Sequence, residues 1–285
     1  MFSGSYVALV TPFKENGAVD EKKFEELIEF QIKNGTSGLV PCGCTGEAAT
    51  LRHEEQKALI KLAVEIVDKR IPVVPGTGSN NTDEALELTR CAKKSGADGA
   101  LLITPYYNKP TPEGQYRHYA KIAEETKLPL MLYNVPSRTG ISMLPETIAR
   151  LSKIKNIVAI KEASGSLDQI SRILSLCDIT VLSGDDSLTL PMMAVGAKGV
   201  VSVVANIIPK EVNEMVKAYL DGDMAKAVDI HYKILDLTKA MFIETNPIPV
   251  KTALKFMGKL NGVLRLPLCE MAKGNEEKLK SVLKE

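Results

Sequence analysis

The chain has 285 residues, of which 45% are hydrophobic and 25% charged, and its formal net charge is +1. This composition is typical of a globular protein, and a nearly neutral chain offers no electrostatic basis for binding nucleic acid or a membrane surface. Five cysteines without framework spacing favour a reducing compartment over a disulfide scaffold. The first residues lack the pattern of a secretory signal and no apolar run is long enough to span a membrane, so we expect a cytoplasmic protein.

Eight short apolar runs alternate with amphipathic segments from the start of the chain to about residue 205. Such runs, bounded by turn residues, are typical of buried parallel strands. The predicted strands are Tyr6–Val10, Gly38–Pro41, Pro72–Val74, Gly99–Ile103, Pro129–Tyr133, Ile157–Ile160, Thr180–Leu182 and Gly199–Val203.

Capping residues and prolines mark the helices between these strands. Asp20 is predicted to cap the first helix, and Thr82 a later helix that ends at Ser95 and Gly96. Proline is tolerated in the first turn of a helix, and three prolines stand near the start of helical patterns. These are Pro112, Pro145 and Pro209.

Eight strand–helix repeats predict a (β/α)8 TIM barrel, with a doubly wound open sheet as the alternative. Beyond about residue 222 the pattern is helical only, with segments near 223–241, 249–258 and 274–284 and an NPIPV loop at 246–250. We therefore expect a catalytic barrel over residues 1–222 and an appended C-terminal helical region over residues 223–285.

Polar residues follow the carboxyl ends of the predicted strands, where a parallel barrel carries its active site. Hydroxyls, tyrosines and cations would therefore meet on one rim of the barrel. In strand order they are Thr11, the GCTGE stretch at 43–47, Thr77, Thr104 with Tyr106 and Tyr107, Tyr133 with Arg138, Lys161, Gly184 to Asp186, and Ser202.

Lys161 is the most informative residue of this rim, because it ends the apolar run 157–160. Burial favours the neutral form of a lysine, and a neutral amine is a nucleophile toward carbonyl carbon. A lone lysine at a strand end more often extends its amine into solvent. The polar residues predicted to surround Lys161 favour a nucleophilic role for its amine.

Neighbouring residues on the rim can bind carboxylates or carry protons. The backbone N–H groups and Thr45 hydroxyl of the 43–47 turn can hold a small anion, although a glycine turn is often only a turn. Arg138 is a natural carboxylate clamp, and Tyr107 and Tyr133 are either proton carriers or packing residues. GTGSNN at 76–81 lacks the lysine of a phosphate loop.

The three histidines are scattered, and they form neither a Ser-His-Asp arrangement nor a metal-binding pattern. We expect His118 and His231 to be solvated helix residues, and we expect no metal.

Seven motifs spread along the whole chain resemble the dihydrodipicolinate synthases. This family belongs to the pyruvate-dependent class I aldolases, which include N-acetylneuraminate lyase. The motifs are GCTGEAATL at 43–51, TPYYNKPT at 104–111, YNVPSRTG at 133–140, IKEASG at 160–165, LSGDD at 182–186, GVVSV at 199–203 and NPIPVK at 246–251.

The resemblance implies a Schiff-base condensation of pyruvate with L-aspartate 4-semialdehyde, in diaminopimelate and lysine biosynthesis, without an external cofactor. Lys161 would form the imine with pyruvate, and Tyr133 would shuttle protons. Thr45 with its neighbouring amides and the Val201 carbonyl would hold pyruvate. Arg138 would receive the carboxylate of the second substrate.

The resemblance also implies a homodimer, commonly paired into a homotetramer, because Tyr107 reaches into the partner's site in this family. Gly184 counts among the substrate-binding residues. Cys44 departs from the family pattern, which has a threonine there to link the two tyrosines. A thiol is a weaker donor, so we expect a weakened relay from Tyr133 through Cys44 to Tyr107.

A lysine effector site of the family is matched only in part. Ala48 and Gln56 replace polar residues of inhibited members, so lysine inhibition stays open. The residues that fit are His53, Asn80, Glu84 and Tyr106.

Two alternatives remain. Another aldolase of the superfamily, such as N-acetylneuraminate lyase or a keto-deoxy sugar acid aldolase, is disfavoured by Arg138, which the neuraminate lyases lack. A non-catalytic barrel that senses a small carboxylate is disfavoured because mere binding needs neither Lys161 nor Tyr133.

Overall fold

The computed structural model describes residues 2–283, and in this range seven parallel strands form one sheet. Neighbouring strands follow the order β2-β1-β7-β6-β5-β4-β3. The strands are β1 (Gly4–Ala8), β2 (Gly38–Val40), β3 (Ala100–Ile103), β4 (Leu130–Asn134), β5 (Ile157–Glu162), β6 (Thr180–Ser183) and β7 (Gly199–Ser202).

The third predicted strand is present only as segment 72–77, which closes the barrel between β2 and β3. Isolated parallel bridges pair Leu39 with Val73 and Gly76 with Leu101. The two prolines of this segment have no N–H group to donate, so a continuous ladder cannot form. The predicted barrel is confirmed, with seven regular strands and one irregular segment.

Alternate residues of each strand face the barrel interior, as the period of two requires. On β5, Ala159 belongs to the interior cluster, whereas Ile160 packs toward the helices. Lys161 is two residues beyond Ala159 and therefore shares its face. The register places Lys161 beside Tyr133 of β4 and beside Leu182 of β6.

Helices surround the sheet and begin largely where the sequence predicts. Asp20 caps the first helix by accepting from the N–H of Lys23 at 3.1 Å. The predicted cap Thr82 is wrong: Asn81 caps that helix, and Thr82 is its first residue. Pro112, Pro145 and Pro209 each begin a helix. The helices are α1 (Glu21–Lys33), α2 (His53–Val67), α3 (Thr82–Ser95), α4 (Pro112–Thr126), α5 (Pro136–Thr139), α6 (Pro145–Leu151), α7 (Leu167–Leu176), α8 (Thr189–Ala194) and α9 (Pro209–Leu220).

The C-terminal part of the chain is helical, as predicted, with α10 (Met224–Ala240), α11 (Ile248–Phe256) and α12 (Lys273–Val282). Three of the five residues of the predicted NPIPV loop are helical, because α11 begins directly after Pro247. Residue 284, the predicted end of the last helix, lies outside the described residues, and a domain boundary after residue 222 stays a prediction. Among residues 2–283, no helix is both long and apolar enough to cross a membrane.

His118 is not the solvated residue that its sequence context predicts. It lies on α4 with 6% of its surface exposed, and its Nδ1 shares a 2.9 Å hydrogen bond with the Thr82 hydroxyl of α3. Burial lowers the pKa of His118 to about 4. His231, on α10, is half-buried, and burial also lowers its pKa.

Candidate active site

The amine of Lys161 is buried rather than extended into solvent. Only 5% of the residue is exposed, and Nζ lies 4.3 Å from the centre of the Tyr133 ring. Burial lowers the pKa of Lys161 from 10.5 to about 8, a shift that Cys44 and Asp186 oppose. About a tenth of the amine is therefore neutral, and nucleophilic, at pH 7, far more than for a lysine of ordinary pKa.

Gly184 leaves the space that the Lys161 side chain occupies. A Cβ atom built at Gly184 would lie 3.0 Å from both Cγ and Cε of Lys161 and 2.8 Å from Cβ of Ala163. The Gly184 N–H group donates to the carbonyl of Glu162 at 2.7 Å, which ties this turn to β5. Any larger residue at position 184 would therefore displace the amine.

Tyr133 lies beside the amine, and its hydroxyl belongs to a buried polar pair. Burial raises the pKa of Tyr133 well above 10, and the Cys44 thiol raises it further. Cys44 is partly buried against the same apolar cluster that contains Tyr133. The phenol is therefore protonated and able to donate at physiological pH.

Tyr107, the other predicted member of the relay, lies apart from these residues. It is 89% exposed and has a left-handed backbone with φ of 69°. It lines neither of the two cavities that contain Tyr133. Within one chain, the structure brings Tyr133 and Cys44 together but leaves Tyr107 outside.

The turn at 43–47 presents backbone donors beside a buried hydroxyl. Glu47 N donates to Cys44 O at 3.1 Å, which closes the turn. Within residues 2–283, no protein group accepts from the N–H groups of Cys44 or Thr45. Gly46 packs tightly, since a Cβ there would lie 3.0 Å from Cys42 N. Free amides that converge in a tight turn form a site for a small anion.

Asn246 of the C-terminal region connects this turn to Arg138. Its Nδ2 donates to the Thr45 hydroxyl at 3.0 Å, and its carbonyl accepts from Nη2 of Arg138 at 2.9 Å. Thr45 and Asn246 are buried, whereas Arg138 is exposed on the short helix α5. Sequence reasoning missed Asn246, because it treated the surrounding segment as a connecting loop.

Two adjoining cavities, of about 420 and about 430 Å³, contain most of the predicted site residues. Tyr133, Arg138 and Asn246 line both of them. One of them, the Lys161 cavity, also contains Lys161, Thr45 and Gly184 and is bordered by side chains of α10. The other, the Cys44 cavity, contains Cys44. Cavities of this size accommodate small organic molecules.

Three of the four predicted effector residues line the Cys44 cavity, namely His53, Glu84 and Tyr106. His53 Nε2 lies 4.0 Å from a carboxylate oxygen of Glu84. Asn80 is not among the lining residues of this cavity. Gln56 is buried and donates to the backbone at 2.9 Å, so its amide is used within the protein.

Asp186 is a buried carboxyl beside the amine. Its Oδ2 accepts from Val203 N at 2.8 Å and Val204 N at 3.3 Å, while Oδ1 has no partner within residues 2–283. Burial raises the pKa of Asp186, and the nearby Lys161 partly opposes this. The GDD stretch indicated a polar turn but could not distinguish this aspartate from Asp185.

Some residues of the predicted rim have other contacts. Thr77 shares a 2.8 Å hydrogen bond with Thr89, and Thr104 donates to the carbonyl of Tyr133 at 2.9 Å. Val201 is buried in the same apolar cluster as Tyr133, whereas Val203 lines the Lys161 cavity. Residues 2–283 contain no group of three or more His, Cys, Asp or Glu side chains placed to bind a metal ion.

A buried amine of lowered pKa at a barrel strand end, beside a protonated tyrosine, is what a Schiff-base aldolase requires. The comparisons with known proteins identify a particular group within that class. The chain belongs to the dihydrodipicolinate synthetase family, whose model matches residues 1–285.

Relatives of this family match nearly the whole chain. The 4-hydroxy-tetrahydrodipicolinate synthase of Geobacter sulfurreducens is 60% identical over 287 residues, covering 100% of this chain and 99% of that protein. The crystal structure of dihydrodipicolinate synthase from Aquifex aeolicus is 52% identical, with a TM-score of 0.98 over 99% of this chain and 97% of that one. A chloride-inhibited dihydrodipicolinate synthase from Acinetobacter baumannii, complexed with pyruvate, is 46% identical, with a TM-score of 0.98 over 100% and 98% of the two chains.

Proposed function

We propose that this protein condenses pyruvate with L-aspartate 4-semialdehyde to give 4-hydroxy-tetrahydrodipicolinate, in the diaminopimelate and lysine pathway. The observation that carries the proposal is the buried Lys161 amine, whose pKa is lowered to about 8. The full-length similarity to 4-hydroxy-tetrahydrodipicolinate synthases supports the same reaction.

In the first half-reaction, the neutral amine of Lys161 attacks the ketone carbon of pyruvate. Loss of water from the carbinolamine gives an iminium ion. The free N–H groups of the 43–47 turn and the Thr45 hydroxyl hold the pyruvate carboxylate, and Val201 contributes its carbonyl. The iminium acidifies the adjacent methyl group, and loss of one proton gives an enamine. The iminium group accepts the electron pair of the broken C–H bond, so no external cofactor is required.

In the second half-reaction, the enamine carbon attacks the aldehyde of aspartate 4-semialdehyde, and the new alkoxide takes up a proton. The amino group of the second substrate then attacks the iminium carbon, and the Lys161 amine leaves as the ring closes. Arg138 offers a bidentate donor pair to the carboxylate of the second substrate. Gly184 allows the Lys161 amine to move between these positions, because glycine has no side chain to fill the space beside the amine.

Tyr133 moves protons in both halves, since its protonated phenol adjoins the amine. Cys44 connects it toward solvent with a weaker donor than a hydroxyl. Tyr107, which is exposed in one chain, completes the relay from a second subunit. The active form would accordingly be a homodimer or a homotetramer.

The Cys44 cavity is a candidate effector site for lysine through His53, Glu84 and Tyr106, with Asn80 nearby in sequence. A cytoplasmic location accords with five cysteines that are all free. The barrel catalytic unit would span residues 1–222, followed by the helical region from residue 223.

A substrate comparison tests the proposed activity directly. The purified protein is supplied with pyruvate and aspartate 4-semialdehyde, and consumption of the aldehyde is compared with cleavage of N-acetylneuraminate. Aldehyde consumption in the presence of pyruvate supports the proposal. Cleavage of the sugar acid without aldehyde consumption would instead identify another pyruvate-dependent aldolase, and neither activity would favour a binding protein.

A further inference from the structure

The C-terminal region contacts the anion-holding turn 43–47 through a fully buried ion pair. Nζ of Lys251, on α11, lies 2.5 Å from Oε1 of Glu47, and neither side chain is exposed. The same Nζ donates to the carbonyl of Thr11 at 3.0 Å and lies 4.3 Å from the centre of the Phe13 ring. One ammonium group from α11 therefore joins two loops at the mouth of the barrel.

Glu47 occupies a backbone conformation that its residue type does not favour. Its φ is 53°, in the left-handed region where a non-glycine residue is uncommon. The other carboxylate oxygen accepts from the N–H group of Arg265 at 3.3 Å. Both carboxylate oxygens of Glu47 are thus held by the C-terminal region, which stabilises the left-handed residue at the end of the turn.

The contacts extend from Glu47 to the groups that face the substrate. The carbonyl of Gly46 accepts from the Thr11 hydroxyl at 2.6 Å, and Thr11 is the residue whose carbonyl Lys251 binds. Thr45, one residue before Gly46, accepts from Asn246 at 3.0 Å. Lys251 therefore binds both Thr11 and Glu47, and these two residues hold the part of the turn that carries the free N–H groups.

A buried ion pair of this kind adds little net stability, because the cost of desolvating both charges offsets their attraction. Its consequence is geometric: it favours one arrangement of the turn over others. We propose that Lys251 is a positioning residue, which holds the 43–47 turn through Glu47 in the geometry that binds the carboxylate of the keto-acid substrate. This inference rests on the proposed function.

The test removes both charges at once and measures pyruvate binding separately from turnover. The double variant Lys251→Met/Glu47→Gln leaves no unpaired buried charge, so the fold is expected to survive. Its KM for pyruvate is expected to rise about tenfold, while kcat at saturating pyruvate changes by less than about twofold. The KM for the aldehyde is expected to stay close to that of the parent protein.

Arg265→Met is the matched control, since it removes another cation of the C-terminal region. Its guanidinium pairs with Glu55 at 2.7 and 2.8 Å, and its backbone N–H contact to Glu47 does not depend on the side chain. This variant is expected to melt at a lower temperature with an unchanged KM for pyruvate. A parental KM in the double variant, or an equal rise in both variants, would overturn the proposal.

Borohydride reduction separates this proposal from the activity on which it rests. If the parent protein forms no reduced pyruvate adduct, the proposed function fails. If the parent and the double variant form the adduct with the same dependence on pyruvate concentration, only the role of Lys251 fails. Should the double variant not fold, Lys251→Gln/Glu47→Gln provides the same comparison, because it also leaves no buried charge and keeps a polar group at each position. Its KM for pyruvate is expected to rise roughly threefold; an unchanged KM would contradict the proposal.

Discussion

Replacing Lys161 with methionine is expected to stabilise the protein, because folding buries an amine that is largely protonated in the unfolded chain. Burial lowers the pKa of this amine from 10.5 to about 8. At ~1.36 kcal/mol for each tenfold change in proton affinity, this difference corresponds to about 3 kcal/mol. Methionine has a similar length and no charge, but its introduction leaves the Asp186 carboxyl without its cation. We therefore expect a net gain of about 1–3 kcal/mol at pH 7.

The sign of the pH dependence gives this prediction a second test. Between about pH 8 and 10.5, the unfolded chain binds more protons at Lys161 than the folded chain, so the stability of the parent protein rises with pH in this window. The advantage of Lys161→Met should be largest below about pH 8 and should shrink toward pH 10.5. Thermal and urea unfolding of both proteins, at pH 7 and pH 9.5, measures it. A variant that is less stable at pH 7, or an advantage that does not shrink with pH, would refute the reasoning.

Three further predictions concern catalysis. The kcat/KM for pyruvate should fall about tenfold for each pH unit well below the pKa of Lys161, which is about 8, and a flat profile from pH 8 to pH 6 would exclude its neutral amine as nucleophile. Cys44→Thr should raise turnover roughly threefold, because a hydroxyl is the better link to Tyr133, and lower activity than the parent would argue against a weakened relay. Asn246→Ala should raise the KM for pyruvate roughly fivefold, because Thr45 loses its hydrogen-bond donor. The melting temperature should change little, because the substitution also removes an unpaired buried oxygen. An unchanged KM would show that this hydrogen bond does not orient Thr45.

The barrel could be predicted from sequence because its signals are local. Each strand is a short apolar run, and Lys161 directly follows one of them, so its place at a strand end required no tertiary information. Prolines mark the starts of helices for the same reason. The N–H groups of the first turn make no hydrogen bond within the helix, so a residue without an N–H group is tolerated there. The irregular segment 72–77 follows from the same chemistry, because its prolines cannot donate to a ladder.

The remainder of the site depends on contacts between distant parts of the chain. Asn246 donates to Thr45 and Lys251 binds Glu47, pairs separated by 201 and 204 residues. No local pattern marks these partners, and the segment around Asn246 resembles a connecting loop. The burial of His118 likewise depends on how α4 packs against α3, which its own helical pattern does not specify.

The most direct test of the mechanism is reduction of the protein with borohydride in the presence of pyruvate, followed by mass spectrometry of its peptides. We expect the peptide that contains Lys161 to gain the mass of pyruvate less one oxygen atom, and we expect no gain without pyruvate. The Lys161→Met variant should not be modified at that site. An unmodified Lys161 peptide in the parent protein at saturating pyruvate would contradict the Schiff-base mechanism at its first step.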